Sequence, residues 1–281
     1  MSSTVFIAVI FAAAIHAVWN GMVKKQNDKY IALAAIVLGH VPLSIIVLFF
    51  TPMITTKSIP YIFISAIFLA GYEWCLLSAY RLEDYTKVYP IARGIAPIFI
   101  VIFSLLFFSI NISKFELIGI FVISLGIIIL SLQNFKYIKN YSAILYAMAT
   151  GFFISCYSIT DGFGGKVSLS PINYTAWLMT FNATVTFPIL LVIMKKTDAL
   201  KKVFTKGKKI FFVGGPLSYT AYATVVWAFT HSPVPLVAAL RETSIIFALL
   251  IGYFFLKEKL KLIKIISIFI IFVGAIFLKL F

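Results

Sequence analysis

Long apolar stretches alternate with short polar breaks along the whole chain, and each stretch is close to the roughly 20 residues an α-helix needs to cross a bilayer. They run from Val5 to Val23, Ile31 to Phe50, Ile59 to Tyr80, Val88 to Ile110, Phe115 to Leu132, Ser142 to Gly162, Pro171 to Met194, Ile210 to Phe229, Pro235 to Leu256 and Leu262 to Leu280. Polar breaks fall at Lys24 to Lys29, Arg81 to Lys87, Gln133 to Lys139, Lys195 to Lys209 and Lys257-Glu258-Lys259, with Pro52, Pro60, Pro171 and Pro235 near span edges. The pattern predicts an all-α polytopic membrane protein with ten transmembrane helices. Continuous runs, as opposed to ten-residue alternations, exclude a β-barrel. The breaks are too short to house an extramembrane domain.

Composition sharpens this reading. Of 281 residues, 62% are hydrophobic and 12% charged, which excludes a soluble globular domain. The formal charge of +15 sits in short runs between apolar segments and not on one basic face, so the expected partner is the lipid bilayer and not nucleic acid. Cys75 and Cys156 lie far apart inside apolar spans, offering neither a disulfide framework nor a zinc spacing. No cofactor or metal is expected. The first charged residue is Lys24, so the N-terminal stretch lacks the basic start of a signal peptide and is expected to be a retained first helix.

Basic residues partition by side. Loops after odd-numbered helices hold 18 of the 24, among them Lys24, Lys25, Lys29, Arg81, Lys87, Lys136, Lys139, Lys195 and Lys196, whereas the other side has only Lys57, Lys114, Lys166 and Lys279. The positive-inside rule makes the crowded side cytoplasmic and points both termini outward. The run from Lys195 to Phe204 also suits a surface of anionic headgroups, but an ordinary topogenic anchor is the favoured reading.

Arg93 and Arg241 fall within spans, 148 positions apart. The same shift brings Phe107 onto Phe255, and Leu125-Gly126-Ile127-Ile128 onto Val273-Gly274-Ala275-Ile276. Residues 1–135 and 140–281 thus read as two five-helix repeats within one integral membrane unit. Because five is odd, the second copy enters from the opposite face, giving the inverted-topology repeat of secondary transporters.

A charge in hydrocarbon costs at least about 2.5 to 3.5 kcal/mol at a helix centre, so each ionisable residue in a span needs a partner, a wet cavity or a task. The set is Glu73, Arg93, Asp161, Arg241 and Glu242, with His16 and His40. His16, Trp19 and Asn20 share one helix face, and Tyr157 and Asp161 occupy the matching place in the second copy. Glu73 follows Gly71 in mid-span and suits proton coupling or pairing with a substrate amine; the competing reading is a carboxyl satisfied by an arginine. Pro90, Arg93 and Pro97 lie on one face of the fourth helix, where only a protein-lined or wet interior tolerates the freed carbonyls. Adjacent Arg241 and Glu242 point about 100° apart and need separate partners. Among the aromatics, Trp19, Trp74, Tyr89, Tyr157, Trp177, Tyr222 and Trp227 offer cation-π surface to an ammonium group.

The stretches Val88-Tyr89-Pro90-Ile91-Ala92-Arg93-Gly94, Leu236-Val237-Ala238-Ala239-Leu240-Arg241-Glu242-Thr243-Ser244 and His16-Ala17-Val18-Trp19-Asn20 together resemble the EamA branch of the drug/metabolite transporter superfamily. That resemblance, over the whole chain, implies ten helices as two inverted repeats, a central cavity and transport across a bacterial inner membrane. It extends to membrane proteins associated with phosphonate utilisation. Related transporters often have cytoplasmic termini, against the outward termini that the charges here favour.

The function read from the sequence is a secondary transporter of a small polar, amine-bearing metabolite, of amino-acid or quaternary ammonium type, working by alternating access around a midplane cavity. The substrate-binding set is His16, Trp19, Asn20, Glu73, Tyr89, Arg93, Tyr157, Asp161, Trp177, Tyr222, Arg241 and Glu242, with protons as a candidate coupling ion and a monomer or homodimer as the working unit. Two alternatives stand beside it: a lipid-carrier translocator with a laterally open groove, and uptake of a phosphonate-type metabolite. An integral membrane enzyme would need a motif such as His-Glu-x-x-His or Gly-x-Ser-x-Gly, and the chain has neither.

Overall fold

The structure, a computed structural model, describes residues 1–108, 110–135, 138–194, 198–257 and 259–280, without the side chains of Tyr85, Gln133, Asn134, Ile193, Met194 and Leu256. Lys136, Lys195 and Lys196 of the charge count, and Glu258 of the last break, therefore lie outside the described residues. Helices α1 (Ser3–Lys25), α2 (Lys29–Phe50), α3 (Ile59–Leu82), α4 (Tyr85–Phe107) and α5 (Lys114–Phe135) form the first half. The second comprises α6 (Tyr141–Val167), α7 (Pro171–Met194), the short α8 (Ala199–Thr205), a π-helical turn at Ile210–Gly214 running into α9 (Gly215–His231), then α10 (Val234–Arg241), α11 (Ser244–Leu256) and α12 (Leu262–Leu280). Among the described residues, ten segments are long and apolar enough to cross a membrane. The chain is a multi-pass membrane protein.

The break between α1 and α2 can be short because it caps two helices at once. Between α1 and α2, the Asp28 carboxylate accepts the N–H groups of Tyr30 at 3.1 Å and Ile31 at 3.2 Å, opening α2. Next to it, Lys29 Nζ donates to the carbonyls of Val23, Lys24 and Gln26 at 2.7 to 3.1 Å, closing α1. Two adjacent side chains thereby satisfy backbone groups that hydrocarbon could not.

One expectation needs correction at the ninth span. The run from Pro235 to Leu256 is not a single helix: α10 ends at Arg241, a turn covers Glu242 and Thr243, and α11 starts at Ser244. Tight i to i−3 bonds, Glu242 N–H to Ala239 O and Thr243 N–H to Leu240 O, both 3.0 Å, bridge the break.

The two repeats interleave. α1 packs against α9, α10 and α11 of the second repeat, while α6 packs against α3 and α4 of the first. α2 meets α7 and α5 meets α12, so the most extensive helix contacts join one repeat to the other. At the α5–α12 seam a Cβ on Gly274 would stand 2.9 Å from the Gly119 carbonyl oxygen, so only glycine allows this approach. α2 and α9 touch backbone to backbone, since a Cβ on Gly215 would lie 2.4 Å from the Gly39 carbonyl carbon.

Hydrogen bonds between loops sort them onto two faces. Gln26 Nε2 donates to Lys206 O at 2.9 Å, and the Glu83 carboxylate accepts from the backbone N–H groups of Lys139 and Asn140, gathering the basic loops on one face. Thr55 Oγ1 donates to Val167 O at 3.1 Å on the other. The ends of the chain share that second face, where Lys279 Nζ donates to Ser3 Oγ at 2.8 Å.

Candidate functional site: a cavity between the repeats

The interleaving leaves a central cavity with about 130 Å³ available to the centres of water-sized atoms. By the rule that one water needs about 10 to 15 Å³ of such space, it is large enough for a small metabolite. α1 contributes His16, Trp19 and Asn20, one turn apart on one face; α3 contributes Tyr72 and Glu73, α4 Arg93, α6 Tyr157, α7 Asn182, α9 Tyr222 and α10 Arg241. Side chains from both repeats therefore meet in one space.

The two arginines approach from opposite faces. α4 begins at the basic face and α10 at the other, and each arginine stands about two turns into its span. They converge on one carboxylate. Arg93 Nε lies 2.6 Å from Glu242 Oε2, and its Nη2 donates to Ser244 Oγ at 3.4 Å. Arg241 Nε lies 3.8 Å from Glu242 Oε1. All three residues are buried, with Glu242 1% exposed. The turn after α10 allows this: on an unbroken helix, Arg241 and Glu242 would diverge.

Two further carboxyls are met by neutral donors. Glu73 accepts from Asn182 Nδ2 at 3.1 Å and from Thr186 Oγ1 at 2.6 Å, both on α7. Asp161 accepts from the Tyr174 hydroxyl at 2.8 Å and from the Tyr222 hydroxyl. Neither acid forms an ion pair with an arginine among the described residues, so the competing reading of Glu73 as an arginine partner does not hold here.

Eight residues of the expected set line the cavity: His16, Trp19, Asn20, Glu73, Arg93, Tyr157, Tyr222 and Arg241. Glu242 and Asp161 stand behind the wall and hold its members in place. Tyr89 also supports from outside, accepting from Asn20 Nδ2 at 3.4 Å and lying under the Arg93 guanidinium at 5.8 Å. Trp177 is not brought in: it is 39% exposed, on the outward face of α7 with Thr184, while Asn182 and Thr186 occupy the inward one. Helical register separates the two faces, and the aromatic content gave no sign of which side Trp177 takes. Trp74 is likewise exposed.

Sequence reasoning missed Asn182, Thr186, Tyr174 and Tyr72. Asn182 and Thr186 carried a signal, two polar residues at i and i+4 in an apolar span, and so did His40, which lines the cavity with neither ring nitrogen hydrogen-bonded among the described residues. No group of three His, Cys, Asp or Glu side chains gathers among the described residues to hold a metal ion.

The cavity reaches toward the basic face. Lys29, Leu77 and Tyr80 line both it and an outer recess formed with Asn27, Asp28, Tyr30 and Arg81. Toward the opposite face lie the Asp161–Tyr174–Tyr222 contacts and the hydrogen bond from Asn173 Nδ2 to Thr51 Oγ1 at 2.7 Å.

The model of the EamA-like transporter family matches residues 2–132 and, a second time, residues 141–280. The chain belongs to the EamA-like transporter family. The two matches coincide with the two interleaved halves, so the EamA unit occurs here as two repeats. A solved crystal structure superposes with a TM-score of 0.79, covering 100% of this chain and 99% of its own at 15% identity, which shows a shared fold. No curated protein matches the chain. An EamA-like assignment makes this a membrane transporter of small molecules.

Proposed function

We propose that the protein is a secondary transporter that carries a small polar, amine-bearing metabolite across a bacterial inner membrane by alternating access. The observation that carries this reading is the central cavity, lined from both repeats at mid-depth by ionisable and aromatic side chains. A metabolite amine is met by the Glu73 carboxyl and by the faces of Tyr72 and Tyr157, whose rings stand 5.7 Å apart. Because α1 packs into the second repeat and α6 into the first, the bodies that rock are mixed: α1 with α9, α10 and α11 against α6 with α3 and α4. Access then alternates when the contacts that cross the cavity exchange sides.

The recess leading to the cavity is lined by Asn27, Asp28 and Arg81, polar residues at loop level, which favours a water-soluble cargo over a lipid carrier. Counterflow in proteoliposomes with labelled amines, amino acids and phosphonates tests the reading. One member should exchange across wild-type protein and not across empty vesicles, and flux limited to lipid-linked substrates overturns the assignment in favour of a translocator. Glu73→Gln should keep the melting temperature within a few degrees while flattening the pH profile of flux or weakening the amine. A variant with unchanged profile and affinity makes Glu73 purely structural.

A further inference from the structure

Positive charge in the cavity wall is undercompensated at one end. Glu242 is the only carboxylate within ion-pair distance of Arg93 and Arg241 among the described residues, and it lies nearer Arg93, at 2.6 Å against 3.8 Å. Arg241, 4% exposed, lines the cavity, and neither its Nε nor its Nη2 makes a hydrogen bond among the described residues. His16 Nε2 and Trp19 Nε1 line the same cavity, also buried and without a hydrogen-bond partner among the described residues. Their rings touch edge-on at 4.7 Å, which fixes both relative to α1. The remaining buried acids are engaged elsewhere, Glu73 by Asn182 and Thr186 and Asp161 by two tyrosines. A second guanidinium sharing one carboxylate is costly in a water-poor interior, and an incoming anion removes that cost.

We infer that Arg241, with Trp19 and His16, forms a subsite for an oxyanion of the cargo, a carboxylate or a phosphonate, so that the transported metabolite is acid-bearing and, with Glu73 lining the same cavity, zwitterionic. A guanidinium presents paired N–H donors that match the two oxygens of such a group. An indole N–H adds a neutral donor that costs no further charge. The inference rests on the transport reading and deepens it by naming a second chemical group on the cargo.

The test uses purified full-length protein and four probes of similar size: β-alanine, 2-aminoethylphosphonate, propionate and propylamine. Thermal melting and tryptophan fluorescence are followed for wild type, Arg241→Gln, Arg241→Lys and Arg93→Gln. Without ligand, Arg241→Gln should melt at or above wild type, because it removes the surplus charge, and Arg93→Gln should melt below it, because it separates Glu242 from its nearer partner. β-Alanine or 2-aminoethylphosphonate should stabilise wild type more than propylamine, and the larger of the two shifts distinguishes carboxylate from phosphonate. Arg241→Gln should weaken that probe about tenfold or more, and Arg241→Lys should recover part of the loss. The proposal is overturned if Arg241→Gln destabilises as much as Arg93→Gln, if propylamine stabilises as well as the acid-bearing probes, or if no acid-bearing probe moves wild type. Flux of the same probes separates the two readings. Acid-bearing probes that bind and never cross leave the subsite and remove transport, whereas propylamine that crosses independently of Arg241 leaves transport and removes the subsite.

Discussion

Glu242 is one carboxylate between two guanidinia, and its loss should be felt more than the loss of any other acid in the bundle. Removing one partner of a buried ion pair typically costs about 3 to 5 kcal/mol, because the remaining charge is left uncompensated. Here Glu242→Ala would leave two arginines, Arg93 at 5% and Arg241 at 4% side-chain exposure, with no carboxylate in reach among the described residues. A melting temperature well below that of Glu73→Gln is expected, since Glu73 is held by neutral donors that tolerate an amide. Equal melting of the two variants would mean that solvent in the cavity screens the arginines. The charged members of the site were legible because so few charges interrupt the apolar spans. Asn182 and Thr186 carried only the fainter mark of two uncharged polar residues at i and i+4, and Tyr174 carried none, since one tyrosine among many gives no sign of which way it faces.

At the level of helices, the ten spans were legible from apolar run length, and the break within the ninth was not. Nothing in Arg241-Glu242-Thr243-Ser244 is a glycine or proline, whereas α4 runs unbroken through Pro90 and Pro97. The break instead goes with local side-chain bonding, Thr243 Oγ1 donating to Leu240 O at 2.7 Å. Glu83 shows a similar local device at the basic face, tying the α3–α4 turn to the start of α6. Its carboxyl is held down to about 2 by the Lys87 ammonium, 2.6 Å away, and by the backbone N–H groups of Lys139 and Asn140. A depressed carboxyl stabilises the fold above its unfolded value of about 4.3, and that stabilisation drains away as pH falls toward about 2. Wild type should therefore lose melting temperature between about pH 5 and pH 3 more steeply than Glu83→Gln does. Parallel curves for the two proteins would show that the tie carries no pH dependence.

For the whole molecule, the repeat was legible from the paired arginines, but its interleaving was not, because a shift of 148 positions relates sequences without saying which helix of one copy packs on which helix of the other. Interleaving has a consequence for sidedness. The basic loops and the recess leading to the cavity share one face, and the two chain ends share the opposite face. If the positive-inside rule governs, the conformation described is the one open to the cytoplasm, and the termini are periplasmic. Single cysteines test both statements in a background with Cys75 and Cys156 replaced by Ala. In intact bacterial cells a membrane-impermeant maleimide should label Ser2→Cys and spare Asn27→Cys, and permeabilisation should expose Asn27→Cys. Asn20→Cys, inside the cavity, should react from the Asn27 side and be slowed by bound cargo. Labelling of Asn27→Cys and not Ser2→Cys in intact cells would invert the orientation and overrule the charge count. Reaction of Asn20→Cys from the Ser2 side alone would mean that the contacts of Asp161 with Tyr174 and Tyr222 open in the resting protein, and that access from the basic face belongs to the minor state.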